Sequence, residues 1–419
     1  MTVKKTLPNG LRVLTCPMPN TRSVTVMILC GAGSRYENEK NNGISHFLEH
    51  MFFKGAKKYK NAKEVSEAID AVGGDFNAFT GKEYAGYYVK VAVENLDLAI
   101  EVLSDMLINS RFDEREIDKE RGVILEEYNM YQDTPMYQIG WNFERLLFGD
   151  QPLGRDQIGT KELISNVKRE EFVNYKRSLY TADNTVVSIC GDVNCDQVME
   201  KISEAFVFQD LKKAFDYDEY KPLGTEKIYL RNKATEQAHL VVGALGFSES
   251  SEQTLAQKLL AIIFGGNMSS RMFLSVREAK GLCYYIHSST DDYTDVGILS
   301  TNAGVSLDRI DDAIKAILEE YYAVARDGVL ASELLKAKNF LKGKMVLRLE
   351  DTEEFAHLVG KFELLYGKIY TPDMIYADVE KVSLEEVNEV AKEVLQPEKM
   401  RLAVIGPYGK EVERFSGLL

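Results

Sequence analysis

Short apolar blocks rich in β-branched residues are interleaved along this chain with longer stretches of helical periodicity, in an uneven order. A hairpin signal, Pro8-Asn9-Gly10, sits between two strands. A further strand is predicted from about Ser23 to Cys30, within the block Thr25-Val26-Met27-Ile28-Leu29-Cys30-Gly31. Helices are predicted at roughly Ile44 to Lys54 and Ala62 to Val72, strands at Asp75 to Thr80 and Tyr84 to Val91, and long helices from Asn95 to Asn109 and from Asp113 to about Tyr131. In the second half, strands are predicted near 227–231, 237–245, 282–289 and 293–304, then several helices, then a last strand at 400–405. Strands and helices do not alternate regularly, so the predicted class is α+β, with helices packed on a mostly antiparallel sheet, twice.

The duplication rests on two pairs of strands. Gly31 ends one apolar block and Gly246 ends another, Leu240-Val241-Val242-Gly243-Ala244-Leu245-Gly246, 215 positions later. Gly191, after Val186-Val187-Ser188-Ile189-Cys190, and Gly406, after Leu402-Ala403-Val404-Ile405, are again 215 apart. Periodicity is lost between Asp210 and Glu226, where charge is dense. The predicted organisation is therefore a first domain at 1–209, a linker at 210–226 and a homologous second domain at 227–419.

Composition narrows the functional classes. With 45% hydrophobic and 28% charged residues, 419 residues suit two ordinary globular domains. The net charge of −14 disfavours nucleic acid and anionic membrane surfaces as partners. No apolar stretch is long enough for a signal peptide or a membrane span, so a cytoplasmic protein is expected. The five cysteines are scattered without a CxxC pair, which fits reduced thiols rather than a disulfide framework.

The chemistry concentrates in His46-Phe47-Leu48-Glu49-His50. On a helix, Ile44, Phe47, Leu48, Met51 and Phe52 share one face and His46, Glu49 and His50 the other, so one side packs and the other is free for chemistry. Two imidazoles at i and i+4 can reach one metal ion at about 2.0–2.1 Å, with Glu49 beside them to take a proton from a water. A polar helix face is the bland alternative, but with five histidines in the chain fewer than about 0.01 chance matches to H-x-x-E-H are expected. A third ligand is required. On the later helical pattern Glu120 and Glu127 share a face within about 20°, while Glu126 is turned about 100° from Glu127. Periodicity alone does not choose among these carboxylates.

The stretch NNGISHFLEHMFFKG, followed by GGDFNAFTGKEYAGYY and ERGVILEEYNMYQDTP, resembles the inverted zinc-motif metallopeptidases of the pitrilysin and insulin-degrading enzyme superfamily (M16). It is most similar to the short bacterial members that resemble mitochondrial processing peptidase, and the resemblance spans almost the whole chain. It implies the mitochondrial processing peptidase/LuxS-like metallohydrolase fold and one zinc ion per chain. The family pattern leaves 76 residues between H-x-x-E-H and the glutamate ligand, which reaches Glu127. The implied ligands are thus His46, His50 and Glu127, with Glu49 as general base and Glu120 orienting the site.

The segment GGNMSSRMFLSVREAKGLCYYI is similar to the family's C-terminal Arg and Tyr pair, carried here by Arg277 and Tyr284. A guanidinium and a phenol would hold the substrate carbonyl and its developing oxyanion; the bland alternative is a surface arginine and a core tyrosine. At the 215 offset, His46, Glu49 and His50 correspond to Ala261, Phe264 and Gly265, so the second half has no such ligands. Phe76-Asn77-Ala78-Phe79-Thr80 resembles the family's edge strand, which implies that Asn77, Ala78 and Phe79 contact an extended peptide by strand addition. The resemblance further implies a homodimer enclosing a chamber, with Arg277 and Tyr284 of one subunit facing the zinc of the other. The expected function is a zinc endopeptidase acting on unfolded peptides. The alternatives are a processing peptidase of narrow specificity and a non-catalytic scaffold subunit of the same fold.

Overall fold

A computed structural model describes residues 2–224 and 226–419. Strands β1 (Val3–Thr6), β2 (Arg12–Pro17), β3 (Ser23–Cys30), β4 (Asp75–Thr80), β5 (Ala85–Ala92) and β6 (Thr185–Gly191) form a sheet in the order β1-β2-β6-β3-β5-β4. A second sheet has the order β7-β11-β8-β10-β9, from β7 (Ile228–Asn232), β8 (Gln237–Gly246), β9 (Cys283–Asp292), β10 (Gly297–Ser306) and β11 (Arg401–Gly406). All neighbours run antiparallel except β2 with β6 and β7 with β11. With helices flanking both sheets, the fold is the predicted two-domain α+β arrangement.

The duplication is visible in the pairing. Val13 lies opposite Val187, and 215 positions on Ile228 lies opposite Leu402. The central strand slips by one, because Thr25 opposes Cys190 whereas Leu240 opposes Val404. Relative to the central strands the offset is therefore 214, which shifts the counterparts of His46, Glu49 and His50 to Leu260, Ile263 and Phe264. Neither alignment gives the second half a metal donor at these positions.

The compact units do not follow the predicted division at 210–226. One unit comprises the chain up to Asn129 with Asp156–Asp218 and Val346–Pro372, and the other comprises Met130–Arg155, Glu219–Met345 and Asp373–Leu419. Each sheet is contiguous in its own half, but one helix of each half belongs to the other unit. Helix Thr352–Tyr366 lies on β3 and β6, with Ala356 and Val359 packed among Leu14, Met27, Leu29 and Val186. Helix Pro135–Phe148 lies on β8 and β11, with Ile139, Phe143 and Leu147 packed among Val241, Ala403 and Ile405. The reason is visible in β3, buried along all but its first residue. A strand apolar on both faces needs a layer on each side. Helix Leu96–Ile108 covers one face, and the distant helix covers the other.

The predicted linker changes units at its middle. The Arg35 guanidinium lies over the Tyr217 ring at 4.1 Å and donates to the Asp218 carbonyl at 3.3 Å. In the second unit, the Tyr220 amide donates to Asp295 at 2.7 Å and the Lys221 amide to Gln151 at 2.9 Å.

Two local features position the site. Helix Ile44–Phe52 starts from Gly43 at φ 106°, and the buried Glu37 carboxylate accepts from the amides of Gly43 at 2.7 Å and Ser45 at 2.8 Å. A buried anion at a helix N-terminus satisfies donors that the helix cannot. Strand β4 ends its sheet, as expected of an edge strand, and among the described residues pairs only with β5.

Candidate metal centre

Ile44, Phe47, Leu48, Met51 and Phe52 are all at most 1% exposed, so their helix is anchored by its apolar face. His46, Glu49 and His50, on the opposite face, are half-buried. Helix Glu114–Asp133 passes in front of them. His46 Nε2 lies 3.6 Å from Glu127 Oε1, and His50 Nε2 lies 3.5 Å from Glu127 Oε2. Ligands about 2.0–2.1 Å from one tetrahedral ion stand roughly 3.4 Å apart. Both spacings are close to that value, and one donor atom from each of the three residues falls within 4.8 Å of the others. Two imidazoles and one carboxylate form a donor set that suits zinc while leaving a position for water. Glu126, the alternative that periodicity left open, is exposed and is not in the cluster.

The surrounding groups fix orientation. Glu120 Oε1 lies 2.9 Å from His50 Nδ1, and its other oxygen pairs with Lys54 Nζ at 2.6 Å. A carboxylate on Nδ1 holds the imidazole tautomer that leaves Nε2 free to ligate. Burial alone would raise the Glu120 carboxyl, but His50 and Lys54 outweigh it and hold it below the ordinary carboxylate range. For His46, burial favours the neutral ring, yet Glu127, with Glu49 and Glu37, brings the balance above the ordinary histidine value. Glu49 Oε2 accepts a hydrogen bond from Thr80 Oγ at 2.5 Å.

Thr80, Lys54 and Glu37 are therefore parts of the site that the sequence reading missed. Lys54 had a signal, four residues beyond His50 at the end of the predicted helix, although the helix itself stops at Phe52 and Lys54 lies in the turn that follows. Thr80 belongs to the edge strand already singled out. On that strand Thr80 faces the metal cluster and Ala78 shares its side, while Asn77 and Phe79 point to the other face. Phe79 packs against Tyr84 and His357 with ring centroids 5.8 and 5.4 Å away, so its side chain is committed to packing.

Arg277 and Tyr284 belong to the second unit. Tyr284, the second residue of edge strand β9, is 75% exposed, so it is not a core tyrosine. Arg277 lies in a π-helical turn, Phe273–Ala279, with its guanidinium 4.6 Å from the Phe273 ring.

Residues 12–161 match the model of the insulinase family (peptidase family M16), and residues 166–341 match that of the peptidase M16 inactive domain. An uncharacterized zinc protease of Bacillus subtilis (strain 168) is 38% identical over 409 residues, covering 98% of this chain and 99% of its own. One from Streptomyces coelicolor is 37% identical, covering 96% of this chain and 89% of its own. Among solved structures, a protease from Helicobacter pylori superposes with a TM-score of 0.90 at 23% identity, covering 97% of this chain and 99% of its own. Among the described residues, no helix is long and apolar enough to cross a membrane. The sequence identity over nearly the full length of these relatives shows that the chain belongs to the M16 (insulinase) peptidase family.

Proposed function

We propose that this protein is a zinc-dependent endopeptidase that hydrolyses unfolded peptides in the cytoplasm, with one zinc ion per chain. The observation that carries the reading is the triangle of His46, His50 and Glu127, with Glu49 on the same helix face and tied to Thr80. Zinc held by the three ligands would polarise the scissile carbonyl and acidify a water beside it. Glu49 takes the proton of that water and returns it to the leaving amine. Thr80 keeps the Glu49 carboxylate aimed, and Glu120 keeps His50 turned so that Nε2 points at the ion.

The unpaired edge of β4 would receive the substrate backbone as an added strand, which suits extended rather than folded peptides. In this reading Asn77, Ala78 and Phe79 act through their main chain. Arg277 and Tyr284 of the partner subunit in a homodimer would hold the carbonyl oxygen as charge develops on it.

The deciding experiment uses the full-length protein, its metal content measured by mass spectrometry and its cleavage of quenched fluorescent peptides followed with and without chelator. About one zinc per chain and chelator-sensitive cleavage are expected. Glu49→Gln should keep the zinc and lose about a hundredfold or more in kcat. A Glu49→Gln protein as active as its parent would sink the mechanism. A peptide library separates broad oligopeptide cleavage from a processing enzyme of narrow specificity.

A further inference from the structure

We propose that the first unit carries a second binding site, for a small organic anion with an apolar body, in the cavity lined by helix Arg169–Leu179 and the segment 107–112. The cavity holds about 330 Å³, at the small end of the range for ligand pockets. Arg169, Val173 and Lys176 share one face of the helix, with Arg177 beside them, so three cations reach one space. Among the described residues no aspartate or glutamate lines it, in a chain of net charge −14. Phe112, Val173 and Leu211 supply apolar wall.

Lys176 is the central observation. Its ammonium donates to the Ile108 carbonyl at 3.0 Å and to Ser110 Oγ at 2.7 Å, which leaves one of its three N–H groups, and it lies 5.8 and 5.7 Å from the Phe52 and Phe112 ring centroids. Burial pulls its pKa from 10.5 down to about 8, with no carboxylate to oppose the shift. A buried cation is ordinarily paired. Ile108 ends helix Leu96–Ile108, and that helix end favours a cation. The helix end accounts for where the ammonium sits, but it neither fills the cavity nor explains Arg177, which has no ion pair or hydrogen bond among the described residues.

The wall is also held in an unusual conformation. Phe112 is buried at φ 48°, in the left-handed region that a bulky residue rarely adopts. Arg169 fixes it there by donating to the carbonyls of Phe112 at 3.0 Å and Arg111 at 3.1 Å. The ligand that matches is a monoanionic head at Lys176 and Arg177 with a short hydrocarbon body against Phe112, Val173 and Leu211. None of the metal-site residues lines this cavity, so the two readings stand or fall separately.

The test is calorimetric titration of the full-length protein at pH 7 with octanoate, with chelator present so that the carboxylate has no metal to ligate at His46, His50 and Glu127. Octanol probes the apolar body alone and inorganic phosphate the charge alone. The expected result is one octanoate per chain, at least tenfold tighter than octanol or phosphate, and weakened at least tenfold by Lys176→Met. Arg177→Gln, at an exposed position that does not threaten folding, should weaken it about threefold or more. The proposal is overturned by no octanoate binding up to about 5 mM, by octanol or phosphate binding as tightly, or by octanoate affinity within twofold of the parent in Arg177→Gln and in a folded Lys176→Met.

Discussion

Glu126 and Glu127 are neighbours in sequence and stand about 100° apart around a helix, and that rotation decides which of them faces the two histidines. Glu127→Gln should weaken zinc binding by about a hundredfold, judged by competition with a chromophoric chelator, whereas Glu126→Gln should bind zinc like the parent. The reverse order would move the third ligand by one position. Thr80 gives a separate prediction. Thr80→Val keeps the shape and removes the donor to Glu49, so kcat should fall about tenfold with KM and zinc content unchanged. The histidine pair and the carboxylate proposed as its general base could be read from five adjacent residues, because one helix carries all three. Thr80 could not, because its bond crosses from a strand to a helix and leaves no periodic trace.

At the scale of elements, β3 and β4 fall at the predicted residues, and β5, β8 and β11 within one or two of them. Apolar β-branched blocks specify a strand almost locally. What local pattern does not specify is the partner of an amphipathic helix. Helices Pro135–Phe148 and Thr352–Tyr366 each offer an apolar stripe that would suit either sheet, and long-range topology assigns each to the sheet of the other half. Two glycines test this assignment. A Cβ on Gly360 would come within 2.6 Å of Leu29 Cδ1 and 3.3 Å of Ser188 Cβ, so Gly360→Ala should destabilise by about 1–2 kcal/mol. A Cβ on Gly140 meets nothing within 4 Å, so Gly140→Ala should stabilise by about 0.5–1 kcal/mol through helix propensity. Urea midpoints of the two variants, compared with the parent, provide the check. Equal effects would mean that Gly360 does not lie against β3.

For the whole molecule, the unpaired charge on Lys176 works against folding. Its folded pKa of about 8 lies below the ordinary 10.5, so the folded state resists the proton that the unfolded state keeps. That penalty is fully present below pH 8 and fades as the pH rises towards 10.5. Lys176→Met should therefore be more stable than the parent by about 1–2 kcal/mol at pH 7, with the gap closing by about pH 10. Assembly is tested by mixing. Glu49→Gln and Tyr284→Phe chains, each impaired alone, should regain part of their activity after subunit exchange if Arg277 and Tyr284 serve the zinc of the partner subunit. No recovery in demonstrated heterodimers would confine the site to one chain.

The exchanged helices also set an order of events during synthesis. The sheet of the first unit has all its strands once Gly191 is made, but the helix that covers its second face ends at Tyr366. At about 5–20 residues per second, the face of Leu14, Met27, Leu29 and Val186 stays bare for roughly ten to thirty seconds on every nascent chain. A fragment stopped at residue 209 would keep it bare permanently. The unit that carries the candidate metal ligands thus has to be shielded while the rest of the protein is still being translated.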